Sequence, residues 1–197
     1  QQGPAAARNL GASKAKYKIL CFIDADVEIR KDCFTHIKRT FATAPALTAV
    51  FGSYDDAPEK PGIVSQFRNL LHHHVHQHSA QEAQTFWAGL GAIKTREFLA
   101  FGGFDAHRFA KPSIEDIELG YRLHHAGLRI ILDYDLQAKH HKKWTFTSMV
   151  RTDIWQRAVP WTEVLLQNRK MTNDLNLRTG DRLSVAITWL LPILIVI

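Results

Sequence analysis

Short apolar runs alternate with helical patterns along most of the chain, and this alternation restricts the fold more than any other feature of the sequence. Residues 17–23 and 47–54 are apolar runs of strand length, and residues 32–42 and 63–78 carry apolar side chains at helical spacing. The other predicted elements are a helix over 5–15, a strand over 85–94, a short helix to Phe101, a helix over 114–126 and a strand over 129–134. Alternating strands and helices pack as helices on a layered sheet, so we predict an α/β fold.

Composition narrows the class of protein further. Hydrophobic residues make up 46% and charged residues 22% of the 197, values typical of a folded globular chain rather than a disordered one. The two cysteines exclude a disulfide scaffold and a CxxC metal site, and Cys21 lies in an apolar run that predicts a buried free thiol in a reducing compartment. The net charge of +6 comes from scattered basic residues without a basic stripe, so we expect no nucleic-acid partner.

The carboxyl-terminal end is strongly apolar. Residues 183–197 (LSVAITWLLPILIVI) carry no charge. The basic residues that precede them are Arg169, Lys170, Arg178 and Arg182. A membrane span needs ~20 apolar residues, so this segment fits either a buried core helix or a transmembrane helix that is cut short. We predict the second, with the globular part facing the cytoplasm because positive charge favours that side. The absence of Met at position 1 predicts a cut at the amino end too.

Residues 147–182 mix tryptophans and leucines with arginines and lysines, and include Trp155 and Trp161. Such a segment suits a pair of amphipathic helices at a membrane surface, and packing against the preceding domain is the alternative. We therefore divide the chain into a main domain over 1–146, membrane-proximal helices over 147–182 and the start of a transmembrane helix over 183–197.

Two carboxylates follow the first predicted strand. Asp24 and Asp26 stand two residues apart in FIDADV. In open α/β sheets, ligands bind at the carboxyl ends of strands, and paired carboxylates there can hold Mg²⁺ or Mn²⁺. A turn that ends the strand is the alternative, because aspartate favours turns.

A second acidic pair, Glu115 and Asp116, begins the predicted helix over 114–126. The helix dipole alone can account for acids in a first turn. A carboxylate held ionised there also suits a general base that accepts a proton from a hydroxyl group. Neighbouring helical residues point in different directions, so we expect at most one of the two to aim squarely into a cleft.

Five histidines lie close together in the helix over 63–78. They are His72, His73, His74, His76 and His78. The i,i+4 pairs 72/76 and 74/78 have a spacing that can chelate zinc, but they face different sides and no cysteine or acid lies near them. We therefore interpret this segment as a solvated or cleft-facing helix rather than a metal site.

Four segments in this order carry a family resemblance. They are GPAAARNLGASKA from Gly3, LCFIDADV from Leu20, FWAGLGAIKTREFLAFGGFD from Phe86 and SIEDIELGYRLHHAG from Ser113. From Gly3 to about Trp161 the chain resembles the family 2 glycosyltransferases. The resemblance implies a GT-A fold with a nucleotide-sugar-binding sheet, and transfer of a sugar with inversion. The family's first strands, which hold the nucleotide base and ribose, have no counterpart before Gln1, so part of the donor site is expected to be missing.

The resemblance also implies roles for individual residues. Asp26 matches the metal ligand of the family's D-x-D motif, and Asp24 would contact the nucleotide or the metal's water. Arg8 matches a basic position near the donor diphosphate. Asp116 matches the expected catalytic base, and Glu115 would help to place the acceptor or donor sugar.

Further carried-over positions lie in two later segments. Trp87 and Gly89 match the segment that lines the donor-sugar pocket. His140, in preference to His141, matches a histidine that completes the metal site in many relatives. A histidine ligand favours Mn²⁺ over Mg²⁺. The run around His140 and Lys143 resembles the Q-x-x-R-W motif of polymerising relatives but departs from it, which argues against processive polymerisation. Trp144 would stack on an acceptor sugar or be buried against the sheet.

The implied partners are a UDP- or GDP-sugar donor, a glycan or lipid-linked acceptor and a membrane. A catalytically silent scaffold of a membrane assembly and a nucleotidyltransferase are the alternatives. The retained D-A-D and E-D motifs and His140 favour the enzyme over the scaffold, and the segment HHKKW favours sugar transfer over nucleotidyl transfer.

Overall fold

The computed structural model describes residues 3–168 and 179–196. Arg169, Lys170 and Arg178, which enter the predicted charge pattern beside the apolar end, lie outside the described residues. The helices are α1 (Gly3–Lys14), α2 (Cys33–Thr43), α3 (Ile63–Gln77), α4 (Thr95–Ala100), α5 (Glu115–His125), α6 (Phe146–Arg151), α7 (Val159–Asn168) and α8 (Thr179–Val196), with a π-helical segment (Thr152–Ala158) between α6 and α7. The strands are β1 (Ile19–Ile23), β2 (Val27–Ile29), β3 (Leu47–Tyr54), β4 (Glu82–Ala83), β5 (Leu90–Lys94) and β6 (Arg129–His140).

One mixed sheet organises the described part of the chain. Its strand order is β1-β5-β3-β6-β2, and β4 pairs with β6 outside this path. Strands β3 and β6 are parallel, and the other pairs are antiparallel. Helices pack on this sheet as the alternating pattern predicts, so the α/β prediction is confirmed.

The core is continuous because strand β3 is buried along almost its whole length. Aromatic side chains fill one face of the sheet, where Phe22, Phe98 and Phe104 pack with ring centroids 5.1–5.2 Å apart. On the other face, Ile37 and Phe41 of α2 form a second cluster, since their i,i+4 spacing puts both on one side of the helix. The two clusters fix the ends of β1, β3 and β6 relative to one another.

Two element boundaries and the exposure of one residue differ from the sequence prediction. Residues 85–89 precede the strand that was expected over 85–94, and Gly89 instead accepts a hydrogen bond from the backbone N–H of Asp24 (3.1 Å). Strand β6 continues past residue 134 to His140 because its second half pairs with β2. Cys21 is exposed rather than buried, since β1 lies at the end of the strand order and turns alternate side chains away from the core.

The helices after Thr145 pack in part on the main domain. Val164 is buried, and the indole N–H of Trp161 donates a hydrogen bond to the hydroxyl of Tyr121 (2.8 Å). Pro160 lies in the first turn of α7, directly after the π-helical segment.

The predicted transmembrane start at residues 183–197 finds no support in the described part of the chain. No helix in residues 3–168 or 179–196 is both long enough and apolar enough to cross a bilayer.

Candidate active site

Arg8 connects two acidic segments that are far apart in the sequence. Its Nη2 lies 2.6 Å from Asp24 Oδ1, and its Nη1 lies 2.7 Å from Glu115 Oε1. Asp24 follows β1 and Glu115 begins α5, so one guanidinium in α1 fixes the distance between a strand end and a helix start. Glu115 is almost fully buried, and this pairing supplies the opposite charge that a buried carboxylate requires. The two acidic motifs therefore lie together, on either side of Arg8.

Asp116 is held by the backbone. Its Oδ2 accepts a hydrogen bond from the N–H of Ala88, and its Oδ1 accepts one from the N–H of Ile117, both at 2.9 Å. Burial, followed by the charge of Glu115, raises the pKa of Asp116 to about 6, although these two bonds and Arg8 act in the opposite direction. A fixed carboxylate with such a pKa suits proton abstraction near neutral pH.

The turn after β1 brings Asp26 close to His140. Strand β2 pairs with β6 in a register that places Val27 opposite His140, and the N–H of His141 donates to the carbonyl oxygen of Asp26 (2.8 Å). Asp26 Oδ2 then lies 3.5 Å from His140 Nε2.

The His140 ring is held on two sides by residues that the sequence analysis did not select. Its Nδ1 donates a hydrogen bond to Asn69 Oδ1 (2.7 Å), and its ring stacks on Tyr54 with centroids 4.1 Å apart and planes at 6°. An amide oxygen can only accept, so the proton lies on Nδ1 and the Nε2 lone pair faces Asp26. Burial lowers the pKa of His140, against the effect of Asp26, and keeps that lone pair available.

A lone pair that faces a carboxylate oxygen at 3.5 Å leaves a position for a cation between two acceptors. Asp26 and His140 thus have the oxygen and nitrogen donors that suit Mn²⁺. No group of three or more histidine, cysteine or acidic side chains in the described residues is arranged to hold a metal ion. The two residues fit a divalent ion whose remaining ligands come from a diphosphate and water.

Asn69 and Tyr54 have only weak signals in the sequence. Asn69 precedes His72 and His73 by three and four residues, which places it on the same helical face as that pair. Tyr54 is the last residue of β3, an edge where ligand-binding side chains collect.

The histidine run on α3 packs mainly against the sheet. His72 and His76 stack with ring centroids 3.9 Å apart, and His72 continues the stack onto Tyr54 at 4.1 Å. His76 Nδ1 bonds to the carbonyl oxygen of Gly52 and His73 Nδ1 to that of Tyr54. Burial lowers the pKa of His72 strongly and that of His76 to about 4, so both rings are neutral near pH 7.

Trp87 and Gly89 lie between the end of β1 and helix α3. The Trp87 ring lies 5.0 Å from that of Tyr54 and 4.5 Å from that of His72. A Cβ atom at Gly89 would lie 2.2 Å from the Trp87 ring, so only glycine permits this approach. Trp144 is 7% exposed, and Lys142 Nζ lies 4.3 Å from its ring centroid, which agrees with the burial alternative for this residue.

We expect the Asn69→Leu variant to bind Mn²⁺ about 10–100-fold more weakly than the parent protein in the presence of a nucleoside diphosphate. Loss of the Nδ1 hydrogen bond frees the ring of His140 to rotate and to change its protonated nitrogen. Electron paramagnetic resonance titration of free Mn²⁺ measures the effect. Asn69→Asp, which keeps an acceptor, should recover the affinity. Gln77→Leu removes an amide from the same helix without touching His140, and an equal loss there would contradict this role for Asn69.

Two comparisons with known sequences were informative in different ways. The profile described as "Glycosyl transferase family 2" matches residues 1–98. A search of curated proteins finds no significant match.

Two solved structures share the fold. A mannosyltransferase from Pyrobaculum calidifontis in complex with GDP-Man and Mn²⁺ is 21% identical with a TM-score of 0.65, and the alignment covers 98% of this chain and 52% of that one. GalNAc-T7 with UDP, GalNAc and Mn²⁺ is 16% identical with a TM-score of 0.52, covering 78% and 35%. The chain thus spans about half the length of the mannosyltransferase. The likeness confirms the predicted glycosyltransferase-like sheet.

Proposed function

The chain belongs to glycosyl transferase family 2, and from this premise we propose that the full-length protein transfers a sugar from a nucleotide-sugar donor to a hydroxyl group of an acceptor. The main support is the bridge that Arg8 forms between Asp24 and Glu115. It brings a strand-end acid pair and a helix-start acid pair to one cleft, where one pair can serve the diphosphate and the other the sugar and the attacking hydroxyl.

Asp116 is the proposed general base. Two backbone N–H groups orient its carboxylate, and the pKa of about 6 leaves it mostly ionised at neutral pH. It would accept the proton of the acceptor hydroxyl as that oxygen attacks the anomeric carbon. One displacement of this kind inverts the anomeric configuration, so we propose inversion.

Asp26 and His140 are the proposed protein ligands of the divalent metal ion. A divalent ion held by these two residues, Mn²⁺ or Mg²⁺, would supply positive charge opposite the diphosphate. Asp24 would contact the nucleotide or a water on the metal. Arg8, which pairs with Asp24 and Glu115, would bind the diphosphate. Trp87 and Gly89 would line the donor-sugar pocket, and stacking of Trp144 on an acceptor stays a prediction.

The donor and acceptor classes are also proposals. The similar structures hold GDP-Man or UDP with GalNAc, and each contains Mn²⁺, which favours a GDP- or UDP-hexose here. The acceptor is a glycan or a lipid-linked molecule. Contact with a membrane surface is supported by the exposed side chains of Phe146, Trp155 and Leu166, and placement at the cytoplasmic face stays a prediction.

A hydrolysis screen tests the function directly. The full-length protein is incubated with UDP-glucose, UDP-N-acetylglucosamine and GDP-mannose, with and without Mn²⁺, and nucleoside diphosphate release is measured. We expect release from at least one donor that depends on Mn²⁺. Release of a nucleoside monophosphate would indicate phosphoanhydride cleavage instead. No release from any donor, even with mixed glycan and lipid extracts added as acceptors, would favour a silent scaffold.

A further inference from the structure

A cavity lies beside the acidic residues that Arg8 joins. Its volume is about 600 Å³, which falls within the range of small-molecule sites. The loop over 108–113 forms one wall, and the helical segment that contains Arg151, Trp155 and Glu163 forms the other. The Trp155 side chain is 68% exposed, so its flat apolar ring is available to a ligand.

Positive charge dominates this cavity. Arg108, Lys111 and Arg151 line it, against a single acid, Glu163. None of the three cations forms an ion pair with another residue in the part of the chain that the structure describes. The guanidinium of Arg108 lies 5.3 Å from the ring centroid of Phe109, which orients it without neutralising its charge.

Hydrogen bonds connect the wall of this cavity to the proposed active site. Ser113 lines the cavity, its N–H donates to Glu115 Oε2 (3.0 Å), and its hydroxyl donates to the carbonyl oxygen of Gln156 (3.1 Å). Glu115 is in turn bound to Arg8. A molecule seated between the two walls would therefore lie next to the helix start that carries Asp116.

We infer that this cavity binds the acceptor, and that it selects an acceptor with a phosphate or carboxylate group next to an apolar or sugar moiety. This inference rests on the proposed glycosyl transfer. Arg and Lys side chains form charge-assisted hydrogen bonds with such oxyanions, while Trp155 contacts the uncharged part. The net positive lining would disfavour a cationic acceptor and would give a neutral one only the contact with the tryptophan.

Binding without a donor separates this inference from the proposed activity. The full-length protein is titrated calorimetrically with two matched pairs, octyl phosphate against octyl glucoside below their micelle concentrations, and methyl glucuronide against methyl glucoside. Inorganic phosphate is the fifth probe. We expect the charged member of at least one pair to bind about tenfold more tightly than its neutral partner and more tightly than inorganic phosphate. The pair with the larger ratio identifies a phosphate ester or an acidic sugar as the source of the charge.

Charge-reversal variants locate the binding. Lys111→Glu and Arg151→Glu should each weaken the charged probe about tenfold, while Lys38→Glu, an equal charge change on α2, should leave it unchanged. Equal affinity within both pairs, no binding of any probe, or equal losses in Lys111→Glu and Lys38→Glu would each overturn the inference. A protein that hydrolyses donors yet gives one of these results keeps the proposed function and loses only the acceptor assignment.

Discussion

We expect the Asp116→Asn variant of the full-length protein to lose about 10²-fold or more in turnover while its affinity for the donor nucleotide is retained. The amide cannot accept the hydroxyl proton, but it keeps the size of the side chain and one acceptor for the two backbone N–H groups. Initial rates under saturating donor and acceptor measure the loss. The matched control is Asp133→Asn, which removes a carboxylate of β6 that pairs with His36 of α2. Turnover close to that of the parent would remove Asp116 from the role of base.

The pH profile of the parent enzyme should follow the same carboxylate. Burial and the nearby charge of Glu115 raise the pKa of Asp116 to about 6, and the base must be ionised to act. Turnover should therefore fall as pH drops through about 6, rather than through the ordinary range of aspartate near 4. In Asp116→Asn this limb should disappear from the residual rate. A limb that persists in the variant belongs to another group.

The raised pKa also makes a prediction for stability. Between about pH 4 and pH 6 the folded protein holds a proton on Asp116 that the unfolded chain has released, so the proton stabilises the fold. This contribution is complete below the unfolded pKa and is lost as pH rises through the folded one, a fall of about 2–3 kcal/mol in the free energy of unfolding. Urea denaturation at pH 4 and at pH 7 measures the free energy of unfolding. The decrease in this free energy from pH 4 to pH 7 should be smaller by this amount in Asp116→Asn than in the parent protein. The ionised form of Asp116 thus lowers the free energy of unfolding near neutral pH.

Local sequence patterns predicted where the two acidic motifs lie on their strand and helix. Asp24 follows a short apolar strand, and Glu115 begins a helix with regular apolar spacing, so each position follows from nearby residues. Their meeting depends on Arg8, which bonds to both Asp24 and Glu115, and the contact with Glu115 joins residues 107 positions apart. The register of β2 on β6, which brings His140 opposite Val27, depends on pairing between residues more than a hundred positions apart, and no local pattern encodes it.

The residues that support the proposed metal site were missed for a related physical reason. Asn69 has an ordinary helical position, and only the packing of α3 on the sheet puts its amide against His140. The burial of Cys21 was wrongly predicted because an apolar run does not reveal that its strand lies at the end of the strand order, where alternate side chains leave the core. Long-range packing also explains why His72 and His76 stack against Tyr54, because the contact depends on how α3 lies on the sheet.

Replacement of Asp26 by asparagine should abolish most metal-dependent turnover. The amide keeps the shape of the side chain but loses the negative charge that faces His140 Nε2 at 3.5 Å. We expect turnover at low Mn²⁺ to fall about 10²-fold or more and partial recovery as Mn²⁺ is raised, because the remaining ligands still hold the ion weakly. Chelation of the parent protein should give a similar loss, and added Mn²⁺ should reverse it.

The matched control is Asp32→Asn, which removes an exposed acid that precedes α2 and pairs only loosely with Arg30. It should leave both turnover and Mn²⁺ affinity unchanged. A titration of Mn²⁺ by electron paramagnetic resonance, with nucleoside diphosphate present, gives the affinity independently of catalysis. If Asp26→Asn lowers turnover while Mn²⁺ affinity stays at the parent value, Asp26 acts on the substrate rather than on the metal. The structure predicts instead that Mn²⁺ affinity falls together with turnover. Asp26, just before β2, faces His140 at the end of β6, and a neutral amide at position 26 could not offset the charge of a cation bound between these two residues.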